Sequence, residues 1–228
     1  MNLVAGQDHF QGIYTSDELP HVLSGVAYDY PGAPELAARI GDIAKTRKFP
    51  AFNATDPHMA NHYGTLNVLS HLRKNEQVMS VSACQNSTLN NYLEMGGIIA
   101  QAIDELDCRV VMLASGALSH AFTKIDEPAR NANFFNPENV FSEQNRKLDH
   151  EVVDMFGAGR HDQVLDRYDD LQAAKMEGWG SHYFQMIGAL GGADCRLTGT
   201  PMSEYENARG TGNIHIWFDI PGAARQAA

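Results

Sequence analysis

His120 closes the stretch VVMLASGALSHAF, residues 110–122, which opens on an apolar run and breaks at Ser115-Gly116. A histidine just past the end of a strand is well placed to carry a proton to or from a substrate near neutral pH. The plainer reading of a lone histidine is a structural one. GALSH lacks the GxSxG spacing of a hydrolase elbow, and no acid for a Ser119–His120 triad can be placed. The loop PMSEYENARGTGN sets Glu204 and Glu206 beside Gly210 and Gly212, which let a backbone approach closely. A carboxylate from that loop, joined by two histidines, would form the 2-His-1-carboxylate face that holds non-haem iron; the plainer reading is an exposed acidic loop. His58 and His62 stand four apart, but Asp56-Pro57 and Asn61 argue against a helix there and no HExxH glutamate intervenes. A solvated loop is the simpler account of that pair. The glycines of RGTGN precede a strand, so they do not make a dinucleotide fingerprint, and no P-loop is present.

The elements that would position these residues follow from periodicity. Residues 8–30 read as a loop followed by a strand carrying Val22, Val26, Tyr28 and Tyr30. Pro34 suits the first turn of a helix whose apolar positions are Leu36, Ile40, Ile43 and Ala44. Residues 49–62 read as irregular, and residues 63–72 as a short helix. Residues 77–83 alternate as a strand, residues 86–91 form a polar loop, and residues 92–106 form a helix facing inward with Ile99, Ile103 and Leu106. With Val110, Val111, Met112 and Leu113 as the next strand, this is the βαβ rhythm of a parallel sheet. Further helices are expected over 140–156 (stripe Phe141, Leu148, Val152, Phe156), 164–171 and 183–190. A strand follows near Arg196-Leu197, then a loop over 199–212. In the last strand Ile214, Ile216 and Phe218 alternate with His215, Trp217 and Asp219. The expected fold class is α/β, with a mainly parallel central sheet flanked by helices, in a single domain spanning residues 1–228.

The 228-residue chain is 43% apolar with a formal net charge of −11. It buries a substantial core and has no basic footprint for nucleic acid or an anionic membrane surface. Cys84, Cys108 and Cys195 lack CxxC spacing and read as reduced thiols of a cytoplasmic protein. No apolar run approaches a membrane span, and the first residues do not read as a signal peptide.

Taken together, DHFQGIYTSDELPH, HYGTL, VSACQNS, LASGALSH, EYENARGTGN and IHIWFD resemble the class III, LigB-type extradiol ring-cleavage dioxygenases over nearly the whole chain. LASGALSH combined with E…GTGN is the specific part. The resemblance implies that His120 is the acid–base histidine, that Glu204 is the carboxylate ligand of Fe(II) with Glu206 as the register-shifted alternative, and that Tyr63 lies in the substrate pocket as a catalytic hydrogen-bond donor. His182, in WGSH, is expected to contact substrate. The implied reaction inserts O2 into a catecholic or aminophenolic ring beside the hydroxyl pair and gives a yellow semialdehyde-type product. A homo-oligomer, or a hetero-oligomer with a related subunit, is the expected assembly.

One departure stands out. In this family the two iron-binding histidines precede the DHF motif, whereas here DHF begins at Asp8 and His9 matches a non-ligand position. The resemblance therefore implies that the first strand–loop unit is missing, through truncation or a late-assigned start, with core surface and a strand edge uncovered. A non-catalytic partner subunit or pseudoenzyme of the same fold is the alternative. A metal-independent hydrolase using His120 lacks a nucleophile.

Overall fold

The computed structural model describes residues 1–17, 23–59 and 61–220. Val22 and part of DELPH lie outside them. By internal packing the chain divides into two units, Met1–Ser115 and Gly116–Ala228.

The first unit is built on β1 (Asn2–Ala5), which starts beside Met1 and buries Val4 completely. A hairpin follows, β2 (His9–Tyr14) paired antiparallel with β3 (Val26–Pro31). Residues 9–14, expected to be loop, are strand because they pair in continuous antiparallel register with β3, from His9↔Pro31 to Tyr14↔Val26. Next comes α1 (Pro34–Thr46), with Pro in its first turn and Leu36, Ala37, Ile40, Ile43 and Ala44 buried along one face. Burying each of its larger aliphatic side chains contributes roughly 1.5–3 kcal/mol. The chain then returns as β4 (Ala51–Ala54), parallel to β1 in the register Asn2↔Ala51 to Ala5↔Ala54. This β1–α1–β4 crossover is the βαβ unit of the chain, earlier in sequence than the spacing suggests, and its last strand falls in a stretch expected to be irregular.

Residues 77–83 do not form one continuous strand. Val78 bridges Gly32 while Val81 bridges Val4, so the segment divides its hydrogen bonds between two partners. Ala5 N–H donates to Ser80 O and Ser82 N–H to Leu3 O, which puts β1 between this segment and β4. Helix α2 (Tyr63–Leu72) matches expectation. Helix α3 (Leu89–Leu106) starts earlier than its apolar stripe indicates, because Thr88 and Asn91 form a reciprocal capping box. Its Met95, Ile98, Ile99 and Ala102 pack with Val4 and the α1 stripe, and Ile103, Leu106 and Met112 border that core. The expected strand at Val110–Leu113 is not one: among the described residues it pairs with no strand, and Val110, Val111 and Leu113 are exposed.

The second unit is mainly helical. Helix α4 (Glu143–Gly157) is capped by Ser142 and buries Leu148, Asp149, Val152 and Phe156. Phe141 falls before the cap and is exposed, not part of the stripe. The expected helix at 164–171 is two short ones, α5 (His161–Asp166) and α6 (Tyr168–Ala173). Then comes α7 (Ser181–Ala189). Phe156, Tyr183 and Phe218 pack ring against ring, with centroids 4.9 and 5.6 Å from Phe156. Four short strands close the chain: β5 (Gly199–Pro201), β6 (Glu206–Ala208), β7 (Thr211–Asn213) and β8 (Ile216–Phe218). They pair antiparallel as β5 with β8 and β6 with β7. The strand expected near Arg196-Leu197 is β5, shifted later, and the expected loop over 199–212 contains a hairpin. In the last strand the alternation holds, with His215, Trp217 and Asp219 on the solvent side.

The α/β class stands, with parallel pairing confined to β1 and β4 among the described strands. No helix of the described residues is long and apolar enough to cross a membrane.

Candidate active site

The segment carrying His120 is fastened from three sides. Leu118 N–H donates to Gly212 O (3.0 Å), and Gly212 N–H donates to Ser119 O (2.9 Å). His120 N–H donates to Ala174 O at 3.1 Å, and Thr123 N–H to Arg209 O at 3.2 Å. The third fastening is Glu177: its carboxylate accepts from Ala117 N–H at 2.7 Å, and its own N–H donates to Ala117 O at 3.3 Å. The other oxygen of Glu177 lies 4.0 Å from His120 Nε2, with both side chains 27% exposed. The imidazole also rests edge-on against Phe122, 4.7 Å between centroids. His120 is therefore fixed through its backbone while its ring keeps access to solvent, which suits a group that exchanges protons.

The glycines of the acidic loop do permit a close approach, and what approaches is the His120 segment itself. Arg209 and Gly210 turn between β6 and β7 with φ of 59° and 98°, the positive values a two-residue hairpin turn requires. A Cβ at Gly210 would lie 2.6 Å from Ala121 O. At Gly212 it would lie 2.0 Å from Asp149 Oδ2 and 2.3 Å from the Tyr205 hydroxyl.

Asp149 is the chemical centre of this packing, and it is wholly buried. Its Oδ1 accepts from Ser119 N–H at 3.0 Å, and its Oδ2 accepts from Ser119 Oγ and Tyr205 Oη, both at 2.6 Å. Burial raises the Asp149 pKa above the usual carboxylate value, against the opposing pull of the Ser119 and Tyr205 hydrogen bonds. The Tyr205 phenol is driven up by burial and by the neighbouring Asp149 charge, so it stays a donor.

Glu204 and Glu206 flank Tyr205 and are both exposed. Tyr205 turns inward between them, as alternation along extended chain requires. Among the described residues no three His, Cys, Asp or Glu side chains converge as a metal-binding group. A single carboxylate does not satisfy the facial triad of Fe(II). The described residues therefore do not by themselves fit that metal.

His182 lies beneath Gly116, where a Cβ would come within 2.4 Å of its Nε2. Both ring nitrogens are shielded from solvent, and neither makes a hydrogen bond of ordinary geometry. Burial lowers its pKa to about 4, and the nearby Glu177 charge and backbone offset only part of that. This ring packs under the turn.

Tyr63 belongs to the first unit, at the start of α2, with the His62 ring 4.4 Å away. It lines a recess of about 50 Å³ with Tyr14, Val26 and Leu66, well below the roughly 150 Å³ in which a benzene ring is accommodated. His58 is exposed and its N–H donates to Asp56 Oδ1 in a local turn, as the solvated-loop reading has it. His9 is paired with Asp29 at 2.8 Å on the hairpin surface.

Asp149, Glu177 and Tyr205 escaped the reading of the sequence. Only Asp149 left a signal: it falls on the stripe of Leu148, Val152 and Phe156, where a carboxylate must be buried and hydrogen-bonded.

The model of the family described as the catalytic LigB subunit of aromatic ring-opening dioxygenase matches residues 2–218. The 3,4-dihydroxyphenylacetate 2,3-dioxygenase of Escherichia coli is 30% identical over 169 residues, covering 72% of this chain and 59% of that protein. The chain thus spans less than two thirds of the length of this curated relative. With a family match running from the second residue to the end of β8, this chain belongs to the LigB family.

Proposed function

We propose that the chain acts in extradiol ring cleavage, inserting O2 into a catecholic or aminophenolic ring beside its hydroxyl pair. The observation that carries this reading is the family match over residues 2–218. A ring-bearing acid such as 3,4-dihydroxyphenylacetate heads the candidate substrates, because the E. coli relative bears that name. His120 is the acid–base group: it takes a proton from a substrate hydroxyl and returns it to oxygen as the ring opens, a contribution of about 10²–10⁴ in rate for such groups. Its partly exposed ring on a fastened backbone supports the role. Tyr63 is assigned as a hydrogen-bond donor to developing charge, and His182 acts on the substrate side by packing beneath the turn that leads to His120.

Fe(II) is the metal of this reading, with Glu204 as this chain's ligand and Glu206 as the alternative. Among the described residues no group of metal-ligating side chains gathers around Glu204, so the chemistry derived from this chain is confined to proton handling. The same observation keeps the second reading alive, a non-catalytic partner in an oligomer with a related, metal-bearing subunit.

Anaerobic loading with Fe(II), followed by O2 uptake with 3,4-dihydroxyphenylacetate, catechol and 2-aminophenol, tests the proposal. Retained iron and a yellow product would uphold the enzyme reading, the further iron ligands then coming from outside the described residues. Absence of both sinks the enzyme reading for this chain. Stimulation of a catalytic LigB subunit by the same iron-free chain would establish the partner role instead.

A further inference from the structure

We propose that Asp149 is a positioning residue that holds His120 and Glu204 in one frame; the inference rests on the ring-cleavage reading. Neither residue is a hydrogen-bond partner of the Asp149 carboxylate. Each adjoins one that is: Ser119 precedes His120, and Tyr205 follows Glu204. The carboxylate takes the Ser119 N–H and hydroxyl on one side and the Tyr205 hydroxyl on the other, at 3.0, 2.6 and 2.6 Å. The two segments are 30 and 56 residues from Asp149 in sequence, and this single side chain from α4 joins them.

Three features argue that the arrangement does more than fill space. A wholly buried carboxylate costs several kcal/mol in desolvation, so an apolar residue on the same helix stripe would serve packing better. Three donors converge on it, and the two hydroxyls lie at the short distance of charge-assisted bonds. Gly212 leaves the room: any side chain there would strike both Asp149 and Tyr205. The Gly212 backbone meanwhile exchanges hydrogen bonds with Leu118 and Ser119. The His120 segment and the hairpin that follows Glu204 are thus joined twice, once by backbone and once through Asp149.

Asn at this position keeps an oxygen for Ser119 N–H, and its NH2 donates to the two hydroxyls, which turn to accept. Ala keeps neither. Amide hydrogen exchange on the full chain is the first measurement. Asp149→Ala is expected to speed exchange roughly tenfold to hundredfold in both 117–121 and 203–206, with Asp149→Asn restoring most of the protection. Tyr205→Phe, which deletes one hydroxyl and leaves the fold intact, should loosen 203–206 and, through Asp149, slow turnover with KM little changed. Should Asp149→Ala fail to fold, Tyr205→Phe and Asp149→Asn decide the matter. Loosening of one segment alone in Asp149→Ala, or unchanged exchange at 203–206 in Tyr205→Phe, would overturn the proposal. If the wild-type chain cleaves no ring, the proposed activity fails, while the exchange data still decide whether Asp149 joins the two segments.

Discussion

In the first unit Val4, Ile40, Met95 and Ile98 have no exposed surface, the buried polar side chains Asn2, Gln7, Ser16 and Asn61 are all neutral, and the Arg39–Glu105 ion pair stays at the periphery. The second unit also buries aliphatic and aromatic rings, but Asp149 and His161 are wholly buried among them. His161 bonds Tyr183 and the Leu197 carbonyl, both at 2.8 Å. An apolar core tolerates small shifts, since any neighbour of suitable size will do. A buried polar network does not, because each donor needs its acceptor at a fixed place. The unit that carries His120 and Glu204 is accordingly the one in which a wholly buried carboxylate and imidazole are fixed by hydrogen bonds. Core substitutions in the first unit should therefore cost stability alone, whereas those in the second should reach function as well.

The largest effect expected is on turnover. His120→Phe should lose about 10²–10⁴ in kcat while thermal unfolding stays near wild type; normal turnover would remove His120 from the mechanism, and collapse of the fold would break the contrast between units. Ile40→Ala, in the apolar core, should cost about 2–5 kcal/mol in urea unfolding and leave the specific activity of the folded fraction unchanged.

A pH effect separates the units further. Burial holds His182 at about 4, below its ordinary 6.5. With the folded value the lower one, protonation favours the unfolded chain: this stability is complete above pH 6.5 and is lost as the pH falls toward 4. Its size is up to about 3 kcal/mol, and His161, also lowered by burial, adds in the same direction. In His182→Gln the gap between the urea midpoints at pH 7 and pH 5 should narrow, leaving the share that His161 contributes; an undiminished gap would show that His182 is not held neutral.

Smaller changes sharpen the picture. Gly212→Ala should cost roughly 1–3 kcal/mol from overpacking against Asp149 and Tyr205, with a shift of the tyrosine fluorescence as the check. Thr88→Ala removes the α3 cap and should cost about 1 kcal/mol, seen as a lower melting temperature with unaltered kinetics.

What the sequence made legible follows the same division. Helices α1 and α2 were readable because their apolar residues recur at the helical period over at least ten positions. The strands β5 to β8 span three residues each, too few to display a period. Val110–Leu113 has strand-like composition, but a strand requires a neighbour, and neighbours are not written locally. Residues 77–83 alternate correctly and still divide between two partners. At the candidate site, His120 and Glu204 are assignments carried by the resemblance to a family. Asp149 was not legible, because its partners lie 30 and 56 positions away and nothing nearby announces them.

The two 2.6 Å contacts to Asp149 Oδ2 also give the protein an internal reporter. Hydroxyl protons in short bonds to a carboxylate, screened from water, exchange slowly and resonate far downfield of the amide envelope. The Ser119 and Tyr205 hydroxyls should therefore appear as proton signals in a sparse downfield window, shared with buried imidazole N–H groups such as that of His161. Their disappearance on titration or on ligand addition would register motion of the His120 segment directly, with no label attached and no turnover required.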